Sequence, residues 1–290
     1  MNVNFEINQW FDKGIQIKYE LKNIKNKKYL CYDPKSKDYK DLSFTLEDYE
    51  IATKAMIDIL NIGKVIYYKE NENIEELILS FANTYGLCGF MANIPINQFY
   101  VSENKIMLQE DNLMHKEKAV SILSYFKYFF PETEDEVLKE RINAYRDGYS
   151  YNYMGIATRL DRMNDITITA KDYCEPIDMV KEYALGLYKT LVKRLESEDY
   201  DDVYYTDNIS LGFKLNDETT KATCMVNSLQ KFIDMLFITH ISQENMLLKT
   251  CKLCNKAFIA ASQKQEYDDL KCKNRASIQS YRERQKEENK

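Results

Sequence analysis

Apolar and polar residues alternate over much of the first 45 residues, with the two-residue period of a β-strand that buries one face. The stretches 3–7 and 15–19 both follow this period, and Asp12-Lys-Gly14 lies between them as a candidate turn. This arrangement predicts a β-hairpin. Lys28–Tyr32 predicts a third strand that ends before Asp33-Pro34.

From about residue 45 onward the apolar residues recur every three or four positions, which is the period of an amphipathic helix. Asn73 is a favourable N-cap, and Gly63 is expected to end the first helix. Asp207-Asn208 predicts a small hairpin within Val203–Leu215. The predicted helices are Tyr49–Ile62, Ile74–Tyr85, Leu113–Phe130, one that starts at Pro131, Pro176–Leu195 and Thr219–Leu248.

These patterns predict a mainly α-helical α+β protein with a short N-terminal β-hairpin region. The body spans residues 1–248, including a β-rich segment at about 1–45. Residues 249–290 then form a small module that resembles a zinc ribbon and continues into a basic helix.

The C-terminal module contains the clearest chemical pattern of the chain. Cys251-Lys-Leu-Cys254 has the spacing of one half of a zinc site, because two thiolates two residues apart can face the same metal. Cys272 offers a third thiolate, and the residue four positions upstream is Asp268. A carboxylate can also bind zinc, so we predict one structural zinc ion held by these four residues. The alternative is a ribbon remnant without metal, held to the body by Phe258, Ile259 and Leu270.

Charge is distributed unevenly along the chain. Residues 241–290 contain 11 Lys/Arg and 7 Asp/Glu, a net +4, whereas the other 240 residues contain 29 and 39, a net −10. Within Lys271–Lys286 only Glu283 opposes six cations, and Ile278 and Tyr281 could pack back onto the ribbon. The predicted nucleic-acid-binding residues are Lys271, Lys273, Arg275, Arg282, Arg284 and Lys286. The alternative is a solvated helix end, whose cations suit the negative end of its own dipole.

The run from Cys251 to Lys286 resembles the CGNR-type zinc finger, a C-terminal module of bacterial proteins. Cys272-Lys273-Asn274-Arg275 matches its signature with lysine in place of glycine, and the three cysteines match three of its four ligands. This resemblance implies a role in transcription. Upstream, Phe81–Phe90 resembles a Phe-x-Asn-x-Tyr-Gly-Leu-x-Gly segment of related bacterial and phage proteins.

The remaining patterns bear on the class of protein. There are only two histidines, and no serine-hydrolase, metalloprotease or phosphate-loop motif occurs, which disfavours an enzyme. Seven cysteines, an odd number, favour a reducing compartment, and no apolar run is long enough to span a membrane, so we expect a cytoplasmic protein.

The predicted function is therefore that of a non-enzymatic, nucleic-acid-associated regulator that contacts DNA or RNA through its basic tail. The alternative is a protein-interaction module, such as a phage or mobile-element factor that binds a host complex through the acidic body. An enzyme with an unrecognised, carboxylate-based site is a third possibility.

Overall fold

A computed structural model describes residues 4–7, 18–35, 49–90, 105–107, 119–139, 172–196, 210–215, 220–226 and 228–288. The helices are α1 (Tyr49–Tyr67), α2 (Ile74–Tyr85), α3 (Ile122–Phe129), α4 (Ile177–Glu196), α5 (Leu229–Ile241) and α6 (Leu270–Glu288). The strands are β1 (Asn4–Ile7), β2 (Tyr19–Ile24), β3 (Lys27–Tyr32), β4 (Lys105–Met107), β5 (Ala119–Ser121), β6 (Glu175–Pro176), β7 (Ser210–Leu215), β8 (Thr220–Val226), β9 (Leu248–Thr250) and β10 (Ala257–Ile259). The predicted α+β class, mainly helical, is confirmed.

The N-terminal hairpin is formed by β2 and β3, so the predicted third strand is confirmed. Its turn residues, Lys25 and Asn26, both have positive φ angles, 50° and 65°, as a tight two-residue hairpin turn requires. The short strand β6 pairs antiparallel with β3. The predicted turn at Asp12-Lys-Gly14 lies outside the described residues, and the partner that the structure shows for β1 is the distant strand β8, in parallel register.

Two predicted helices agree closely with the structure. Helix α2 begins after Asn73, whose side chain accepts a hydrogen bond from the Glu76 amide, as an N-cap should. Helix α4 starts one residue later than predicted and ends one residue later. Both segments have caps or flanking residues that set their ends locally.

The predicted end of the first helix at Gly63 is wrong, because α1 continues to Tyr67. A Cβ atom placed on Gly63 would lie 2.0 Å from the carbonyl oxygen of Ala184 on α4. This glycine therefore lets two helices cross at close range and does not stop the first one. The sequence pattern could not separate these two uses of glycine.

Three further predictions need correction. The predicted helix Leu113–Phe130 contains strand β5, so its helical part begins at Ile122; residues 113–118 lie outside the described part. Pro131 starts a turn, and the next helical residues begin at Asp135.

The predicted helix Thr219–Leu248 contains strand β8, which pairs antiparallel with β7. The β-branched threonines and valine of β8 favour a strand, and helix α5 begins only after the N-cap Ser228. The hairpin that the structure shows joins β7 to β8, so its second strand lies outside the range Val203–Leu215 that was predicted to contain the whole hairpin. Asp207-Asn208 lies outside the described residues.

The segment that ends at Phe90 has a structural role in the body. The carboxylate of Glu175, which is fully buried, accepts hydrogen bonds from the backbone amides of Cys88 (2.8 Å), Gly89 and Phe90 (3.2 Å) and from the hydroxyl of Tyr173 (2.8 Å). Gly89 has a φ of 81°, which helps three successive amides to face one carboxylate. Burial raises the pKa of Glu175, although these hydrogen bonds favour its charged form. The loop from Cys88 to Phe90 thereby joins α2 to β6.

The C-terminal hairpin of β9 and β10 packs against the body. Leu248 and Ala257 are buried in the main core. The side chain of Asn61 on α1 binds the backbone of Ala257 twice, accepting from its N–H at 2.8 Å and donating to its carbonyl at 3.2 Å. Tyr188 on α4 donates its hydroxyl to the carbonyl of Asn255 at 2.7 Å. The hairpin is thus held at a defined place beside α1 and α4.

None of the described helices combines the length and the apolar character that crossing a bilayer demands.

Candidate metal centre

The four predicted ligands come together at the C-terminal module. Cys251 directly follows β9, Cys254 lies in the turn before β10, and Asp268 and Cys272 flank the start of α6. Their ligand atoms, three sulfurs and one carboxylate oxygen, all lie within 4.8 Å of one another. Of the described residues, these form the one group of at least three His, Cys, Asp or Glu side chains with ligand atoms that close. They form a possible metal site.

Two distances within this cluster match the edges of a tetrahedral site. The sulfurs of Cys254 and Cys272 are 3.7 Å apart, and the Cys254 sulfur lies 3.6 Å from Oδ2 of Asp268. A tetrahedron with zinc–sulfur bonds of the usual length has edges of about 3.8 Å between sulfurs and about 3.5 Å from sulfur to oxygen. A disulfide needs sulfurs about 2 Å apart, so the Cys254–Cys272 pair is spaced for a shared ion.

Backbone hydrogen bonds hold the two N-terminal ligands in place. Asn255 has a φ of 58°, and its amide donates to the carbonyl of Cys251 at 2.8 Å. The amide of Cys251 donates in turn to the carbonyl of Lys256, also at 2.8 Å. Asparagine tolerates this left-handed conformation better than most residues. The tight turn therefore aims both thiols at one point, and Asn255 is a supporting residue that the motif search missed.

The other two ligands are placed by the start of α6. The side chain of Asp269 accepts a hydrogen bond from the Cys272 amide at 2.6 Å and so caps the helix. The amide of Lys252 donates to the carbonyl of Glu266 at 3.0 Å, which ties the first turn to the loop before α6. Asp269 was also missed, although an aspartate three residues before the amide that it caps is a recognisable signal.

Hydrogen bonding and burial shape the acidity of the ligands. The hydrogen bond to Asp268, together with burial, raises the pKa of Cys272. Burial raises the pKa of Cys254, while the backbone amide of Lys256 opposes this shift. Burial by itself would raise the pKa of Asp268, but hydrogen bonds from Cys251 and Cys272 hold it below its usual value. Because a metal binds thiolates, its binding here would release thiol protons and weaken in acid.

A small apolar cluster surrounds the site. Cys251, Phe258, Ala260 and Cys272 are buried together in a cluster separate from the main core, so Phe258 packs within the module and not against the body as the ribbon-remnant alternative expected. Ile259 packs against the main core, as the alternative ribbon-remnant interpretation required. Leu270, however, is 74% exposed and does not help to hold the module.

The six predicted nucleic-acid-binding residues all lie on α6 and are exposed. Ile278 and Tyr281 are also exposed, at 53% and 61%, so the expectation that they pack back onto the ribbon is wrong. Of residues 270–287, all but Cys272 and Ala276 are exposed, so most of the helix is open to solvent.

The four ligand atoms match in number the positions around a tetrahedral metal ion. Three thiolates and a carboxylate would occupy all four tetrahedral positions, whereas a catalytic zinc site keeps one position open.

Comparison of the chain with protein-family models, curated proteins and solved structures found no match. The features of the described residues that bear on function are this cluster and the helix that starts from it.

Proposed function

We propose that the C-terminal module binds one zinc ion through Cys251, Cys254, Asp268 and Cys272, and that the ion holds α6 in position to contact nucleic-acid phosphates. The observation that supports this most directly is that one helix contains both a ligand of the cluster, Cys272, and six exposed cations. A metal at the base of the helix would thus set the position of the charged surface.

Zinc is the metal that the donor set favours. Soft thiolates select zinc over magnesium or calcium, and zinc accepts a carboxylate as its fourth ligand. Structural zinc sites in small peptides contribute on the order of 10–16 kcal/mol at neutral pH, and exchanging one thiolate for a carboxylate should reduce this. The ion would cross-link the β9–β10 hairpin to the start of α6, where Asp269 already caps the helix.

Phosphate is the partner that the charge distribution favours. Residues 1–240 carry a net charge of −10 and would repel a polyanion over most of the surface, so attraction must be local. Within Lys271–Lys286 the net charge is +5, on a helix that is exposed to solvent. Each neutralised phosphate should add about −0.9 to the slope of log affinity against log salt on duplex DNA.

The metal test uses purified full-length protein and measures zinc by mass spectrometry, together with affinity by chelator competition. We expect close to one equivalent of zinc. Cys254→Ala should remove it, and Asp268→Asn should weaken binding, whereas Asp268→Cys should strengthen it by completing a four-thiolate site. The matched control is Asp269→Asn, because asparagine caps a helix as well as aspartate does and this neighbour is not a ligand. Negligible zinc with an ordered ribbon would refute the metal assignment.

The binding test measures fluorescence anisotropy of a labelled mixed-sequence DNA duplex at several salt concentrations. The double change Arg282→Gln and Arg284→Gln should weaken binding to all sequences and reduce the salt slope by about 2, because phosphate contacts carry no base information. The control changes Lys54 and Lys189, exposed lysines on α1 and α4, to glutamine and should leave the slope unchanged.

Absence of binding at low salt would refute the nucleic-acid proposal. Capture of a protein partner that resists nuclease treatment and survives loss of α6 would instead support the interaction module, with the acidic body as its binding face.

A further inference from the structure

The residues of α6 divide into distinct faces when they are placed on a helix at about 100° per residue, counted from Leu270. Between residues 270 and 287, the two positions that are not exposed are Cys272 and Ala276. They lie at about 200° and about 240° around the helix axis. The side between these two positions is the one that faces the metal module.

The opposite side of the helix is centred on Asn274, at about 40°. Tyr281 lies beside it at about 20°, and Ile278 lies at about 80°. All three side chains are exposed. Gln285, at about 60°, and Leu270, at 0°, are exposed on the same side, so the helix presents two amides and three bulky side chains away from the module that anchors it.

The cations lie on both sides of this outer face. One row, at about 100–160°, comprises Lys271, Arg275, Arg282 and Lys286, and the other, at about 300–320°, comprises Lys273 and Arg284. Each row is roughly a quarter turn from the centre of the outer face. The acids Glu283 and Glu287 lie at about 220° and about 260°, on the anchored side, while Glu288, the last residue of the helix, falls at about 0° on the outer side.

We propose that α6 enters the major groove of duplex DNA, with Asn274, Ile278 and Tyr281 toward the base edges and one row of cations toward each phosphate strand. This inference rests on the proposed function and adds the kind of nucleic acid and the residues that read it. The major groove, about 12 Å wide, admits one α-helix, and a phosphate strand borders it on either side. The 19 residues of α6 span about 28 Å, which is enough to follow it.

Other nucleic acids match this arrangement less well. The major groove of A-form RNA is too narrow for side chains to read, and a single strand has one backbone, which would use one row of cations. Asparagine can bind adenine through N6 and N7 at once, and an apolar side chain such as Ile278 can contact the thymine methyl group. The outer face therefore favours an A·T pair opposite Asn274.

The test selects binding sites from a pool of duplexes with a randomised centre, using zinc-loaded full-length protein at moderate salt. We expect a short enriched sequence that contains an A·T pair. Asn274→Ala should lower the preference for that pair about tenfold while leaving affinity for random duplex and the salt slope unchanged. Gln279→Ala is the matched control, since this exposed amide lies on the same helix at about 180°, away from the outer face, and should not alter the preference. Ile278→Ala gives a second variant on the outer face.

The outcomes separate the two proposals. Equal binding to all duplexes without enrichment, or tighter binding to a single strand or an RNA duplex of the same length, would overturn groove reading and leave phosphate binding standing. Failure to bind any nucleic acid would overturn both.

Discussion

The close crossing of α1 and α4 allows a test in which one substitution has opposite effects at two positions. At Gly63, an added Cβ would lie 2.0 Å from the oxygen and 2.6 Å from the carbon of the Ala184 carbonyl. At Gly186 on α4, nothing lies within 4 Å of an added Cβ. Glycine-to-alanine changes at both sites therefore differ mainly in packing.

The expected magnitudes follow from these distances. Contacts of a Cβ below 3.0 Å essentially never occur, so Gly63→Ala must separate the helices by at least about 1 Å, since the obstacle is backbone. Overpacking of this kind typically costs about 1–3 kcal/mol, and a gap of this size also forfeits a quarter to a half of nearby dispersion contacts. Because alanine has a higher helix propensity than glycine, the substitution by itself should stabilise the helix by about 1 kcal/mol at either site. We expect Gly63→Ala to lose about 2 kcal/mol and Gly186→Ala to gain up to about 1 kcal/mol.

The assay is urea unfolding of the zinc-loaded protein, followed by circular dichroism, with thermal unfolding as a second measurement. A change of about 1 kcal/mol corresponds to roughly 2–4 °C in Tm for a protein of this size class. Equal stability of the Gly63→Ala and Gly186→Ala proteins would refute the packing role of Gly63.

Three further predictions concern buried polar groups. Glu175→Gln should cost about 1–3 kcal/mol in urea unfolding, because an amide NH2 would face the Cys88 N–H; unchanged stability would contradict the role of this carboxylate as an acceptor for the loop amides. Asn61→Ala should cost about 1–3 kcal/mol through its two bonds to Ala257, and unchanged zinc content would show that the site itself is intact. Burial lowers the pKa of His240 in the folded state, so its contribution to stability is complete above pH 6.5 and is lost as pH falls through the lowered value. His240→Leu should therefore flatten the pH dependence of unfolding below pH 6.5, and an unchanged slope would contradict this.

Local signals in the sequence predicted several parts of this protein. The Cys-x2-Cys spacing, Cys272 and the acid four residues upstream identified a group that the structure brings within 4.8 Å. The Asn73 cap predicted the start of α2, and the density of cations in 271–286 marked a helix that is exposed. These features depend on residues close together in the chain, where spacing and capping chemistry act directly.

Other parts were decided by contacts between distant segments. The parallel pairing of β1 with β8 joins residues more than 200 positions apart, and the passage of α1 through Gly63 depends on α4. Burial of Glu175 under three amides likewise needs the loop after α2 and strand β6 to meet.

The faces of α6 combine both kinds of information. The sequence alone determined which positions share a side of the helix, because the helical period is fixed by backbone geometry. Which side faces outward became clear only from the low exposure of Cys272 and Ala276 in the folded chain. The sequence does not show what packs against a glycine, a carboxylate or a helix face. The free energy that selects one arrangement over another comes from contacts with neighbours that are present only in the folded chain.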